Sequence, residues 1–188
     1  AGLYERKGDT FKAELARNIR QRFDPVRTYL YYLDAEIPPA DLRPQEVIPA
    51  AEELFEKARQ THQAGKPLPG MTDYTKQRQA LAMFLELVRQ YPRSTKIALA
   101  AYYIADIYKE YFNEDLRAVG WYERAWQWDP NITKPARFQA ATVWDFRLKN
   151  RSKAVECYRL ALQHEPFNAS NIRYARQRLK ELTGEEQP

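Results

Sequence analysis

The sequence predicts an all-α protein of about eight helices and no sheet. Three observations carry this expectation. Apolar residues recur at helical spacing along most of the 188-residue chain. Most of its 12 prolines fall between those periodic segments. From Asp73 onward the chain repeats itself, and three copies in one register constrain a fold more tightly than propensity does.

The elements follow in order. Asp9 and Thr10 can cap "FKAELARNIRQRF", whose Phe11, Leu15, Ile19 and Phe23 form a single helical stripe. Asp24-Pro25 starts a second helix, "PVRTYLYYLDAE", with Pro at its first position. "IPPADLRP" breaks that helix, so residues 1–44 read as an N-terminal helical segment and a proline-rich linker. A helix near Gln45 to Gln63 is next, and then the breaker-rich loop "AGKPLPGMTD".

The repeat is seen by aligning "ALAMFLELVRQYP", "AVGWYERAWQWDP" and "AVECYRLALQHEP". Each opens on Ala80, Ala118 or Ala154. Phe84, Tyr122 or Tyr158 follows four residues on, then Leu87, Ala125 or Ala161, and each copy closes on Pro92, Pro130 or Pro166. The last two copies lie 36 residues apart, and the first two 38. The same 36-residue offset pairs Ala100 with Ala136 and Ala105-x-x-Tyr108 with Ala141-x-x-Trp144. Three repeats follow, at about 45–92, 93–130 and 131–166. A closing helix over 168–183 has Asn168 or Ser170 as its cap, a stripe of Ile172, Ala175, Leu179 and Leu182, and Gly184 just past its end.

Ala-x-x-x-aromatic-x-x-Ala closed by Pro resembles the tetratricopeptide repeat (TPR) over roughly Gln45 to Leu182. The chain departs from that pattern in its longer period and in a first copy with no aromatic matching Tyr108. The resemblance implies antiparallel helix pairs stacked as a curved solenoid, with the first helix of each pair on the concave side. "LVRQYPRSTKIALAAYYIADIYKEY" is also similar to repeat proteins of bacterial envelopes, such as the lipoprotein of the outer-membrane barrel assembly machinery and the coordinator of the Tol–Pal system. That similarity implies a periplasmic or envelope setting, with the cytoplasm as the alternative. A mature lipoprotein begins with a lipidated Cys. This chain begins "AGLYERKGDT", without Met or an apolar signal segment, as a processed or trimmed product would.

Hydrophobic residues at 44% and aromatics at 13% argue against disorder. No apolar run approaches the ~18 residues of a membrane span, so a soluble chain is expected. Cys157 is the sole cysteine and can form neither an internal disulfide nor a multi-cysteine zinc site. His62 and His164 have no ligand-spaced neighbours. Phosphate loops, nucleophile elbows and zinc-protease motifs are also missing. The expectation is a non-enzyme with no catalytic residue, metal, cofactor or small-molecule substrate.

"WYERAWQWDP" holds three of the four tryptophans. Trp126 aligns with Leu162 beside the shared Ala125 and is expected in the core. Trp121 aligns with Cys157 and Trp128 with His164, so either packing or exposure is open to them. The formal charge of +5 has a location. From Arg137 to Leu182 ten basic residues face four acids, an excess of +6. The expected basic edge is Arg147, Lys149, Arg151, Lys153, Arg173, Arg176, Arg178 and Lys180. It is either a solvated face or a surface for an acidic protein or anionic membrane.

The leading functional expectation is an interaction module or scaffold that binds a peptide or partner helix. The resemblance points inward from Tyr102 and Phe138, with Leu99, Asp106, Lys109, Gln139, Thr142 and Asp145 around them. Burial of both aromatics between repeats is the competing reading. One alternative is a structural subunit fixed in a larger assembly. The other is a basic nucleic-acid binder, which "NIRYARQRLK", with its single Tyr174, disfavours.

Overall fold

Local sequence sets each helix boundary. A computed structural model describes residues 37–66 and 71–184, which form seven α-helices. The helices expected over 11–23 and 25–36 lie outside these residues. α1 is Pro49–Ala64, with Pro in its first turn. α2 is Tyr74–Gln90, capped by the Asp73 carboxylate, which accepts from the N–H groups of Thr75 and Lys76. α3 is Ile97–Ile107 and α4 is Asp115–Trp128. α5 is Ala136–Thr142. α6 is Arg151–His164, capped by Asn150, and α7 is Ala169–Thr183, capped by Asn168. Pairing outside helices is limited, among the described residues, to one isolated bridge between Glu46 and Ser94. The protein is all-α, as expected.

The long period has a local cause. α3 and α5 both run on into wider π-helical turns, Tyr108–Phe112 and Val143–Arg147. Each then reverses through a left-handed residue, Asn113 or Lys149, both at φ 54°. The closing bonds match too. Glu114 N–H donates to Tyr108 O, and Asn150 N–H donates to Trp144 O. All three pairs of positions are 36 residues apart. The extra residues therefore widen the end of the first helix of each pair.

Each helix packs most extensively against its neighbours in sequence. The positions shared by the repeats are buried: Ala80, Ala118 and Ala154, then Phe84, Tyr122 and Tyr158, then Leu87, Ala125 and Ala161. Alanine lets the backbones approach, and the aromatics fill the space beside it. Phe84 stacks on Tyr103 at 5.2 Å, Tyr122 packs on Tyr102 at 5.5 Å, and Tyr158 packs on Phe138 at 6.0 Å.

Two buried polar devices join helices. His62 Nδ1 lies 2.7 Å from Gln77 Oε1, while Gln77 Nε2 donates to His62 O, which ties α1 to α2. A Cβ at Gly65 would stand 2.3 Å from the Gln77 amide, so this helix end accepts no side chain. α5 has no side-chain cap of its own. Glu165, beyond the end of α6, supplies one: its carboxylate accepts from the N–H groups of Arg137 at 2.7 Å and Phe138 at 3.1 Å. Burial raises the pKa of this carboxyl, against the pull of those two bonds.

The segment placed in the linker by the sequence joins the packing at Ile37, which is buried. Trp128 Nε1 donates to Pro39 O at 2.8 Å, and the N–H groups of Gln45 and Glu46 both donate to Arg93 O.

Candidate functional site

The residues expected to face a partner are largely bound to one another. Tyr102 and Phe138 are each 9% exposed, so they correct the expectation of two open aromatics. Tyr102 lies between Tyr103 and Tyr122, and Phe138 between Tyr158 and Tyr174. Asp145 is also buried, and its carboxylate accepts from Arg178 and from the Tyr158 hydroxyl. Leu99, Asp106, Lys109, Gln139 and Thr142 are partly exposed. Of these, Asp106 accepts from the Tyr122 hydroxyl at 3.4 Å, and Lys109 donates to Gln139 Oε1 at 2.7 Å. Thr142 donates to Gln139 O.

The basic edge divides in the same way. Arg178 is committed to Asp145 and Glu181, and Arg147 to Asp115 and the carbonyl of Lys109. Arg137, counted in the charge excess, is buried beside Glu165 with its guanidinium 5.6 Å from the Trp126 ring centre. Lys153 lies over Trp144. Lys180 is exposed. Lys149, Arg151, Arg173 and Arg176 are exposed and form no ion pair among the described residues.

Sequence reasoning missed two surface aromatics on the seam between α5 and α7. Phe146 is 43% exposed and Tyr174 42%. Arg178 spans the gap, with its guanidinium 5.1 Å from the Phe146 ring centre, one helical turn beyond Tyr174. Tyr174 had a sequence signal. It falls 36 residues after Phe138, which falls 36 after Tyr102. Two members of this ladder are covered by the next helix, and Tyr174, on the last described helix, is left open.

The tryptophans sort differently from their alignment. Trp121 and Trp128 are the buried pair, packed edge to face at 6.4 Å. Trp126, expected in the core, is half-buried on a groove between α4 and α6. Trp121, Ala125 and Trp128 share one helical stripe, which Trp126 leaves. Compared with known proteins, the sequence matches no family model and no curated protein.

Proposed function

We propose that the chain is a non-enzymatic, TPR-like array of helical hairpins that binds a protein partner along the α5–α7 seam. The Tyr102, Phe138 and Tyr174 ladder supports the array reading, as does packing that runs mainly between sequence neighbours. The observation that carries the binding reading is the seam's composition. Phe146 and Tyr174 are exposed on either side of Arg178, and exposed aromatics with arginine are the residue types enriched at protein interfaces. Arg173 and Arg176 on α7, with Lys149 and Arg151 at the turn before α6, favour an acidic partner surface. The likeness around "YPRS" points to a bacterial envelope complex as the setting.

The test compares pull-downs from the native organism using the wild-type chain and a Phe146→Ser, Tyr174→Ser variant. The proposal expects a partner recovered by the first to be lost with the second. Equal recovery by both chains would remove the seam as the site. A permanently assembled subunit is a second reading, favoured by the open ladder position at Tyr174. Aggregation of the isolated chain on size exclusion would favour that reading, and a monodisperse monomer the free module.

A further inference from the structure

The α4–α6 groove exists because of residues that break the repeat. In the preceding seam, between α2 and α4, Trp121 is 1% exposed and fills the space. The equivalent residue 36 positions later is Cys157, which is far smaller. An opening of about 270 Å³ results. Its lining changes as well. Glu123 and Trp126 stand where the first copy has Leu85 and Val88, 38 residues earlier, and Glu156 stands where the second copy has Gly120. An apolar, filled seam has thus become an open one with two carboxylates and two indoles.

The deep wall is Trp144, aimed by the π-helical turn at the end of α5. It is 8% exposed, and its indole N–H is buried without a well-formed hydrogen bond. That N–H lies near enough to Glu123 to favour its carboxylate form, against the burial that raises its pKa. The face of Trp144 already holds a cation: Lys153 Nζ sits 4.3 Å from the ring centre. Lys153 is an exposed side chain on α6, free to rotate away into water. When it leaves, the groove retains Glu123 and Glu156 beside two indoles and keeps no cation of its own among its lining residues. Cys157 contributes shape alone, since burial pushes its thiol up to about 12.

We propose that this groove receives an alkylguanidinium group, which displaces Lys153 from the face of Trp144. A planar guanidinium matches both surfaces: it stacks on indole, and its fork of N–H donors suits a carboxylate such as Glu123. Lys153 makes the same kind of contact as a resident competitor. The site is independent of the α5–α7 seam, because it lies between the second helices of adjacent pairs.

The experiment titrates the folded chain with methylguanidinium chloride and with the peptide acetyl-Gly-Arg-Gly-amide, each against sodium chloride at matched ionic strength. The indole N–H resonances of Trp126 and Trp144 are the readout. Saturable shifts of both are expected. Lys153→Ala should tighten binding about three- to tenfold, the scale of one lost cation–π competitor. Glu123→Gln should abolish saturation while the helical circular dichroism signal is retained. Tighter binding of the peptide would assign the group to a protein side chain, and equal or tighter binding of methylguanidinium to a free ligand. Absence of saturable shifts in both the wild type and Lys153→Ala, or a Lys153→Ala affinity no higher than wild type, would overturn the proposal.

Discussion

Arg178 grips Asp145 across the α5–α7 seam, with Nε 2.6 Å from Oδ2 and Nη2 3.0 Å from Oδ1. The carboxylate is the buried partner and also accepts from the Tyr158 hydroxyl at 3.3 Å. Arg178→Gln leaves that carboxylate with one neutral donor. The cost should be about 1–3 kcal/mol, below that of a fully buried pair because the guanidinium is partly exposed. Adding Asp145→Asn should recover part of the loss. Urea melts of the two single variants and the double variant decide it: simple additivity would show that the contact contributes no coupling energy.

This pair changes which substitutions probe the basic edge. Neutralising Arg178 disturbs the seam, so a loss of binding in that variant has two causes. Lys149, Arg151, Arg173 and Arg176 are exposed and lack ion-pair partners among the described residues. Changing these four to Gln should shift stability by no more than about 0.5 kcal/mol each. Affinity for an acidic partner and its salt dependence should both fall, because exposed charges are screened over ~8–10 Å at physiological ionic strength. An unchanged salt slope would mark these charges as simple solvation.

His62 should make the fold sensitive to acid. It is buried, with Gln77 at Nδ1 and Asp106 Oδ2 4.0 Å from Nε2. Burial, and then Lys66, hold its pKa below 6.5, outweighing the Gln77 bond and Asp106. Between its lowered folded value and 6.5 the unfolded chain binds more protons than the folded one. The stability it contributes is therefore present above 6.5 and is lost as pH falls through the folded pKa. The melting temperature should drop as pH is lowered from 7.5 to about 5.5, and more steeply in wild type than in His62→Gln. Parallel profiles would assign the sensitivity to other groups.

The repeat seams should resist enlargement. Ala118 and Ala154 are fully buried at matching positions, whereas Ala82 on α2 is exposed. Ala118→Leu and Ala154→Leu should each cost about 1–3 kcal/mol through overpacking, and Ala82→Leu almost nothing. Equal urea midpoints for all three would show that the aligned alanines are not close-packing positions.

What was legible followed rules that act within one helix. Asp73 and Asn168 cap the helices where their side-chain chemistry suggests, and the aligned alanines and aromatics are buried. The misplaced residues depend on what covers them. Trp126 was assigned to the core through its match to Leu162, yet both are half-buried, because a shared register equates positions and not depth. Asp145 looked like a surface acid until Arg178, 33 residues away, closed over it. The π-helical turns left only an indirect trace in the long repeat period, since the apolar pattern of π and α turns differs too little over five residues.

The two pairs of ring positions on the first helices should behave in opposite ways. Tyr102 and Phe138 are 9% exposed and wedged between other rings, whereas Phe146 and Tyr174 are 43% and 42% exposed. Tyr102→Ser with Phe138→Ser removes two buried rings from adjacent repeats. Each should cost about 3–5 kcal/mol, enough to threaten folding of a chain of ordinary stability. Single variants then keep the comparison measurable. Phe146→Ser with Tyr174→Ser should cost less than either single core change, since much of each ring already meets water and only the edge contacts of Tyr174 with Phe138 and Tyr158 are lost. Thermal melts of the two core single variants and the seam double variant give the order directly. A seam double variant that melts below both core singles would make Phe146 and Tyr174 packing residues, and its loss of partner capture would then say nothing about an interface.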